Sequence, residues 1–325
     1  MSLFYIKTLK DNYFVCNKET GKWILTSTKN ISKEALQYLS LPFLKLPYIS
    51  TKLLVLNITT KCNFKCIYCH IKNEKEENMD IEIGKIAVDK AMAFDKKIKI
   101  VFHGSEPLMN FPFIEKLVEY GRKRYPDLEF CIQTNGSLLT KEIANFLTNK
   151  NIGVGISLDG NEESQNIQRL YKSGQPTYSQ VIKNIKKLNQ ETGVITVVTK
   201  YNVVTKYNVD SLEKIVENYE ELEIRGVLFS PLVAADENTQ EYLPSPKDLL
   251  KNMTLVMENY LKKIKEGKQK IKIINTKHLF GNLLSKKLTD TCLKCGTNNA
   301  HPLLAIDIDE TFTLAIIFGA KKNGK

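Results

Sequence analysis

Hydrophobic and polar positions follow two regimes along this chain. Up to about Ser50 the apolar runs are short. Tyr13-Phe14-Val15-Cys16 and Trp23-Ile24-Leu25 read as strands joined by a turn through Asn17-Lys18-Glu19-Thr20-Gly21-Lys22, and a helical stretch follows over residues 32–39. Pro42 and Pro47 then mark a linker. From Leu53 onward strand-like runs alternate with helical ones. The strands are expected over residues 53–58, 98–102, 128–132, 152–156, 194–198 and 226–229. Helices are expected over 81–94, with Ile86, Ala87, Ala91 and Phe94 on the apolar side, and over 113–120 and 177–188. Ser245, followed by Pro246 in the first turn, opens a last helix that Gly267 ends. Its stripe of Leu250, Met253, Met257, Leu261 and Ile264 reads as core packing.

Alternating strand and helix means parallel strands with helices outside. The expected fold class is α/β, a partial (β/α)6 TIM-like barrel over residues 51–235. A small N-terminal α+β unit precedes it over 1–50, and a C-terminal helix with a short extension follows over 236–325. That extension contains a strand-like run over 303–308. The segment Val197-Val198-Thr199-Lys200-Tyr201-Asn202 is repeated at once over 203–208, too short for a repeat architecture and read as a loop or strand extension.

Catalytic groups in such folds gather at the C-terminal strand ends. The first four strands end in Thr59-Thr60-Lys61-Cys62, His103-Gly104-Ser105-Glu106-Pro107, Gln133-Thr134-Asn135-Gly136 and Ser157-Leu158-Asp159-Gly160. Four polar or glycine-bearing ends on one rim point to a site there.

Composition narrows the class. No apolar run reaches the length of a membrane span, and the N-terminus lacks the basic head and apolar block of a secretory signal, so the expected setting is the cytoplasm, with no membrane partner. The net charge of +11 comes from 43 Lys against 4 Arg. The basic residues are spread out rather than clustered with aromatics, which speaks against a nucleic-acid partner. Of the seven Cys, Cys62, Cys66 and Cys69 sit together, Cys292 and Cys295 form a pair, and Cys16 and Cys131 stand alone. Tight local clusters fit metal ligation better than disulfides. Cys16 and Cys131 are read as small apolar side chains.

Cys62-Asn63-Phe64-Lys65-Cys66-Ile67-Tyr68-Cys69 carries the strongest chemistry. Three thiolates in a loop after a strand can each take one iron of a cubic 4Fe–4S cluster, leaving the fourth iron open to a small molecule. Zinc is the rival, with the adjacent His70 as its fourth ligand, although zinc knuckles more often pair two Cys-x-x-Cys units.

The Cys-x-x-x-Cys-x-x-Cys spacing resembles the signature of the radical S-adenosylmethionine superfamily, over about residues 53–228. That resemblance implies that Tyr68 places its backbone beside the adenine. It implies that Gly104, Ser105 and Glu106, in a variant of a Gly-Gly-Glu-Pro element, hold the methionine moiety. Asn135 and Ser157 would contact the ribose or carboxylate, and Arg169 would bind the carboxylate. The overall resemblance is to sulfatase- and peptide-maturating enzymes of the SPASM group, which carry auxiliary clusters in a C-terminal cysteine-rich domain. Here Cys292 and Cys295 are followed by Glu310 where glycine is usual and by Ala315 where the next Cys is expected. Two Cys cannot close a four-iron cluster alone, so auxiliary clusters are not expected on this polypeptide.

The implied activity is one-electron reduction of S-adenosylmethionine by the cluster, giving methionine and a 5′-deoxyadenosyl radical that takes hydrogen from a peptide or protein side chain. A flavodoxin or ferredoxin would supply the electron. Two alternatives remain: the same core acting on a small cofactor precursor, and a degenerate paralogue that binds a partner without chemistry.

Overall fold

The computed structural model describes residues 3–7, 13–17, 23–40, 53–69, 71, 75–94, 96–188, 191–202, 212–233, 237–276, 303–306 and 312–314. By internal contacts the chain divides into two units, Met1–Ile49 and Ser50–Lys325.

In the first unit, β1 (Leu3–Lys7), β2 (Tyr13–Asn17) and β3 (Trp23–Thr26) form an antiparallel sheet in that order. The expected hairpin is present as β2 and β3, with Cys16 opposite Trp23. Helix α1 (Lys33–Ser40) starts where the Ser32 hydroxyl accepts from the Ala35 N–H at 3.2 Å. Asn17 ties sheet to helix by donating to the Leu39 carbonyl at 2.8 Å.

The second unit runs β4 (Leu53–Asn57), β5 (Phe64–Cys66), α2 (Ile81–Phe94), β6 (Lys99–His103), α3 (Phe111–Arg124), β7 (Glu129–Thr134), α4 (Lys141–Asn149) and β8 (Gly153–Ser157). It continues with α5 (Glu162–Gln168), β9 (Arg169–Tyr171), α6 (Tyr178–Ile185), β10 (Gly193–Val198), α7 (Leu212–Glu221) and β11 (Gly226–Pro231). Then come α8 (Glu237–Gln240), α9 (Pro246–Lys265), β12 (Lys272–Ile273), β13 (Leu303–Ile306) and β14 (Phe312–Leu314). The large sheet has the order β12-β11-β10-β8-β7-β6-β4-β13-β14. Every neighbouring pair in it is parallel except β13 with β14. The six expected strands are its central run, the partial barrel that the alternation of elements implies. The C-terminal run lies outside this series and adds itself to the β4 edge, Leu303 opposite Leu53.

Side chains alternate across this sheet. Ile100, Phe102, Phe130, Ile132, Ile156 and Val194 face the helices and are buried with Val88, Ile114 and Leu117. Phe102 and Phe130 stack with centroids 5.6 Å apart. The other face carries Val55, Val101, His103, Cys131, Gln133 and Ser157; apart from Val55 these are half-buried. Cys131 is therefore on the inner face of the curved sheet, its sulfur against Gly153, and not in the helix-packed core.

Two expected apolar faces are turned differently. In α2, Ile86 is 54% exposed, while Ala87, Val88, Ala91 and Met92 are buried. In α9, Leu250 is 69% exposed, Leu261 41% and Ile264 45%. Of the expected stripe Met253 packs against the core, and its companions there are Leu249, Val256 and Tyr260. Both sets recur with helical spacing, so periodicity cannot choose between them. The buried face contains Asn252, whose side-chain oxygen accepts from the Leu212 N–H at 3.3 Å and so caps α7. A polar residue on the packed side is what masked that side in the sequence. The first copy of the tandem repeat runs from β10 into a single 3-10 turn over Lys200–Asn202; the second copy lies outside the described residues.

Candidate active site

The loop that follows β4 is fixed by its neighbours before any ligand is considered. Its β5 segment pairs antiparallel with β9, Cys66 opposite Arg169 and Phe64 opposite Tyr171. The Ile67 N–H donates to the Gln168 carbonyl and the Lys172 N–H to the Asn63 carbonyl. From the β6 end, the Ser105 and Glu106 N–H groups donate to the carbonyls of Thr59 and Lys61, at 3.1 and 2.9 Å. Gly104 is required for that approach. Its φ is +118°, and an added Cβ would lie 2.5 Å from the Thr59 carbonyl oxygen.

The β7 end contributes Asn135. Its amide nitrogen donates to Asn63 at 2.9 Å, and its oxygen accepts from the Ser137 N–H and hydroxyl. Asn63 in turn donates to the Ser137 hydroxyl at 2.8 Å. Both ends of the Asn135 side chain are thus committed to bracing the cysteine loop. Ser157, half-buried at the end of β8, accepts from Gln133 at 3.0 Å.

Glu106 has no exposed surface. Its Oε1 accepts from the Leu108 N–H at 3.1 Å and the Thr134 hydroxyl at 2.6 Å, and its Oε2 from the Asn135 N–H at 2.7 Å. Burial pushes its carboxyl above the ordinary value, and these three donors pull it back. A carboxylate offers about four acceptor positions, so one remains on Oε2.

Tyr68, Asp159 and Arg169 form a second buried cluster. The Tyr68 hydroxyl donates to Asp159 Oδ2 at 2.5 Å and accepts from Arg169 Nη1. The guanidinium lies 3.9 Å from that carboxylate oxygen. Arg169 Nε is buried and has no partner among the described residues. Asn63 and Asp159 were not among the expected site residues. Each stood inside a quoted motif, but nothing in the sequence says which neighbour it meets.

The three thiols lie within electrostatic reach of one another, Cys62 and Cys66 half-buried and Cys69 exposed. Burial drives Cys66 up to about 12 and raises Cys62, while the Arg169 charge opposes both. No three His, Cys, Asp or Glu side chains among the described residues close on one point as ligands of a single ion would. A cubic cluster asks for something else, since each thiolate takes its own iron. Three thiols free of disulfides on one braced loop, with a buried cation and its orphaned Nε alongside, fit such a cluster and an anionic ligand group next to it. His70, Cys292 and Cys295 lie outside the described residues.

The profile of the Radical SAM superfamily matches residues 56–219. The chain belongs to this superfamily. It is accordingly an enzyme of the radical SAM type, and the cofactors of the family are a 4Fe–4S cluster and S-adenosylmethionine. An uncharacterised protein of Methanocaldococcus jannaschii is 40% identical over 157 residues, 47% of this chain and 54% of that protein. The match thus spans about half the length of that relative. A cysteine-type anaerobic sulfatase-maturating enzyme of Clostridium novyi is 26% identical over 267 residues, 77% of this chain and 68% of its own. Among solved structures, native anSMEcpe with bound AdoMet and Cp18Cys peptide superposes with a TM-score of 0.71 at 23% identity, covering 83% of this chain and 75% of that one. At that identity the likeness shows the fold: the radical SAM partial barrel. No described helix is long and apolar enough to cross a membrane.

Proposed function

We propose that Cys62, Cys66 and Cys69 hold three irons of a 4Fe–4S cluster and that the enzyme modifies a peptide or protein side chain. The observation that carries the site is the buried Arg169, set opposite Cys66 in the β5–β9 pairing with an unpaired Nε. When bound, the cluster supplies one electron for reductive cleavage of S-adenosylmethionine to a 5′-deoxyadenosyl radical. The chain's own residues do the rest. Arg169 offers its remaining N–H groups to a carboxylate, whereas Glu106, fully buried on three internal donors, braces the strand ends and does not reach the methionine ammonium group that the family resemblance assigned to it. Gly104, Ser105 and Ser157 line the rim beside these two, and the backbone of Tyr68 offers the edge for the adenine. Asn135 acts indirectly here, by holding Asn63 and with it the loop between Cys62 and Cys66. The substrate class rests on the sulfatase-maturating relative and on the peptide in the superposed structure. A flavodoxin or ferredoxin is the proposed electron donor.

The test is anaerobic reconstitution of the full chain with iron and sulfide, followed by reduction with S-adenosylmethionine present. Wild type is expected to show cluster absorbance and to release 5′-deoxyadenosine, and Cys66→Ala is expected to lose both. Retention of either by the variant refutes the site. Peptides with serine or cysteine at the centre are then screened by mass spectrometry for loss of hydrogen. A change confined to added small metabolites would overturn the peptide assignment while leaving the cluster intact.

A further inference from the structure

We propose that Asp159 is a positioning and charge-balancing residue: it holds the Arg169 guanidinium beside Cys66 through the Tyr68 hydroxyl, and its own charge keeps the reduction potential of the cluster low. This inference rests on the reading that the cluster sits on the three cysteines.

The geometry ties Arg169 to Asp159 at both of its ends. On the side-chain path, Asp159 Oδ2 accepts from the Tyr68 hydroxyl, which accepts from Arg169 Nη1. The hydroxyl has one proton, so it can serve both partners only while the carboxylate accepts and the guanidinium donates. On the backbone path, the Asp159 N–H donates to Gln165 Oε1 at 2.9 Å, and Gln165 Nε2 donates to the Thr177 hydroxyl at 3.1 Å. That hydroxyl donates to the Arg169 carbonyl at 2.6 Å. The remaining carboxylate oxygen, Oδ1, accepts from the Val197 N–H at 2.9 Å. Asp159 therefore fixes the guanidinium and the main chain of Arg169 from one point on the β8 end.

The charges matter because both side chains are shielded from solvent. Asp159 has no exposed surface and Arg169 is 8% exposed. Together they are near neutral. Without the carboxylate, an uncompensated cation would remain opposite a cluster ligand, and a cation stabilises the added electron. As a general scale, a unit charge acting over about 10 Å at an effective dielectric of about 20 changes an equilibrium constant roughly tenfold. An exposed charge at similar range is screened.

The experiment is a redox titration of the reconstituted full-length enzyme, followed by electron paramagnetic resonance before S-adenosylmethionine is added. Asp159→Asn is expected to favour the reduced cluster by about tenfold, which for a one-electron couple is about 59 mV in the positive direction. Glu76→Gln makes the same charge change at the exposed Glu76–Lys172 pair and is expected to leave the potential unmoved. Tyr68→Phe keeps both charges and cuts the link, so its potential is expected to move less than that of Asp159→Asn. Its affinity for S-adenosylmethionine is expected to fall about tenfold. A loaded Asp159→Asn protein with wild-type potential overturns the proposal. If that variant takes up no cluster, Tyr68→Phe decides, and wild-type affinity there overturns it. Failure of the underlying site reading looks different: wild type itself would hold no cluster to titrate.

Discussion

Replacing Glu106 by Gln tests whether this buried carboxylate holds the strand ends together. The side chain accepts three hydrogen bonds, two on Oε1 and one on Oε2, and every donor is fixed by the backbone or by Thr134. Glutamine has one acceptor oxygen and one donor nitrogen. If the oxygen keeps Leu108 and Thr134, the new NH2 group faces the Asn135 N–H across a gap that was 2.7 Å. Two donors then meet, and a buried backbone N–H goes unsatisfied, at about 1–3 kcal/mol. The two surviving bonds also lose their charge assistance, about 1 kcal/mol each. Relief from burying a carboxylate offsets part of this, leaving a net loss of roughly 1–4 kcal/mol. The measurement is equilibrium urea unfolding of the cluster-free protein by far-UV circular dichroism at neutral pH. A variant whose circular-dichroism midpoint equals that of wild type would refute the argument that Glu106 knits β6 to β7.

Gly104→Ala puts a side chain at φ +118° and 2.5 Å from a backbone oxygen that cannot turn away. The conformational part alone costs about 1–3 kcal/mol, so a lowered urea midpoint and poor iron incorporation are expected; a wild-type iron content would count against the packing argument. In the cluster-free protein Cys66 is pushed up to about 12 from an ordinary value of 9.0. Its thiolate fraction at mildly alkaline pH is then about a thousandfold below that of an unperturbed thiol. Iodoacetamide labelling read by mass spectrometry should reach the exposed Cys69 well before Cys66. The same shift fixes a pH dependence. A folded-state pKa above the unfolded value gives stability that is full below about 9 and is lost as the pH climbs towards 12. Cluster-free protein should therefore melt at lower temperature across that window, and Cys66→Ala should flatten the slope.

The barrel strands were legible because each is a short apolar run bounded by polar residues, and the strand ends were legible because glycine and polar residues interrupt those runs. The helices α4 and α7 were not singled out. Helix α7 carries charged residues through most of its turns, α4 is only nine residues long with its charges, Lys141 and Glu142, in the first turn, and each buries only a few side chains, among them Ala144 and Leu147 in α4 and Leu212, Ile215 and Tyr219 in α7. The face of α9 was misassigned because two apolar stripes share one period, and tertiary packing chose the one interrupted by Asn252. The thiol triad could be read from spacing alone. Its supports could not: Asn63 meets Asn135 at a sequence separation of 72, and Tyr68 meets Asp159 and Arg169 at separations of 91 and 101. Local sequence carries no information on such pairings.

The two buried acids, Glu106 and Asp159, show what those supports are for. Each carboxylate is removed from water, a cost that a hydrogen-bonded pair or network at best recovers. Apolar residues of similar volume would make the rim at least as stable. What they could not do is hold Thr134, the Asn135 amide, the Tyr68 hydroxyl and the Arg169 guanidinium in fixed directions around the Cys62–Cys69 loop. Three strand ends reach that loop, β6 through backbone amides, β7 through Asn135 and β8 through Asp159. Polar groups buried at this density are best explained as a frame that keeps three sulfurs and one cation in place, with stability given up for position.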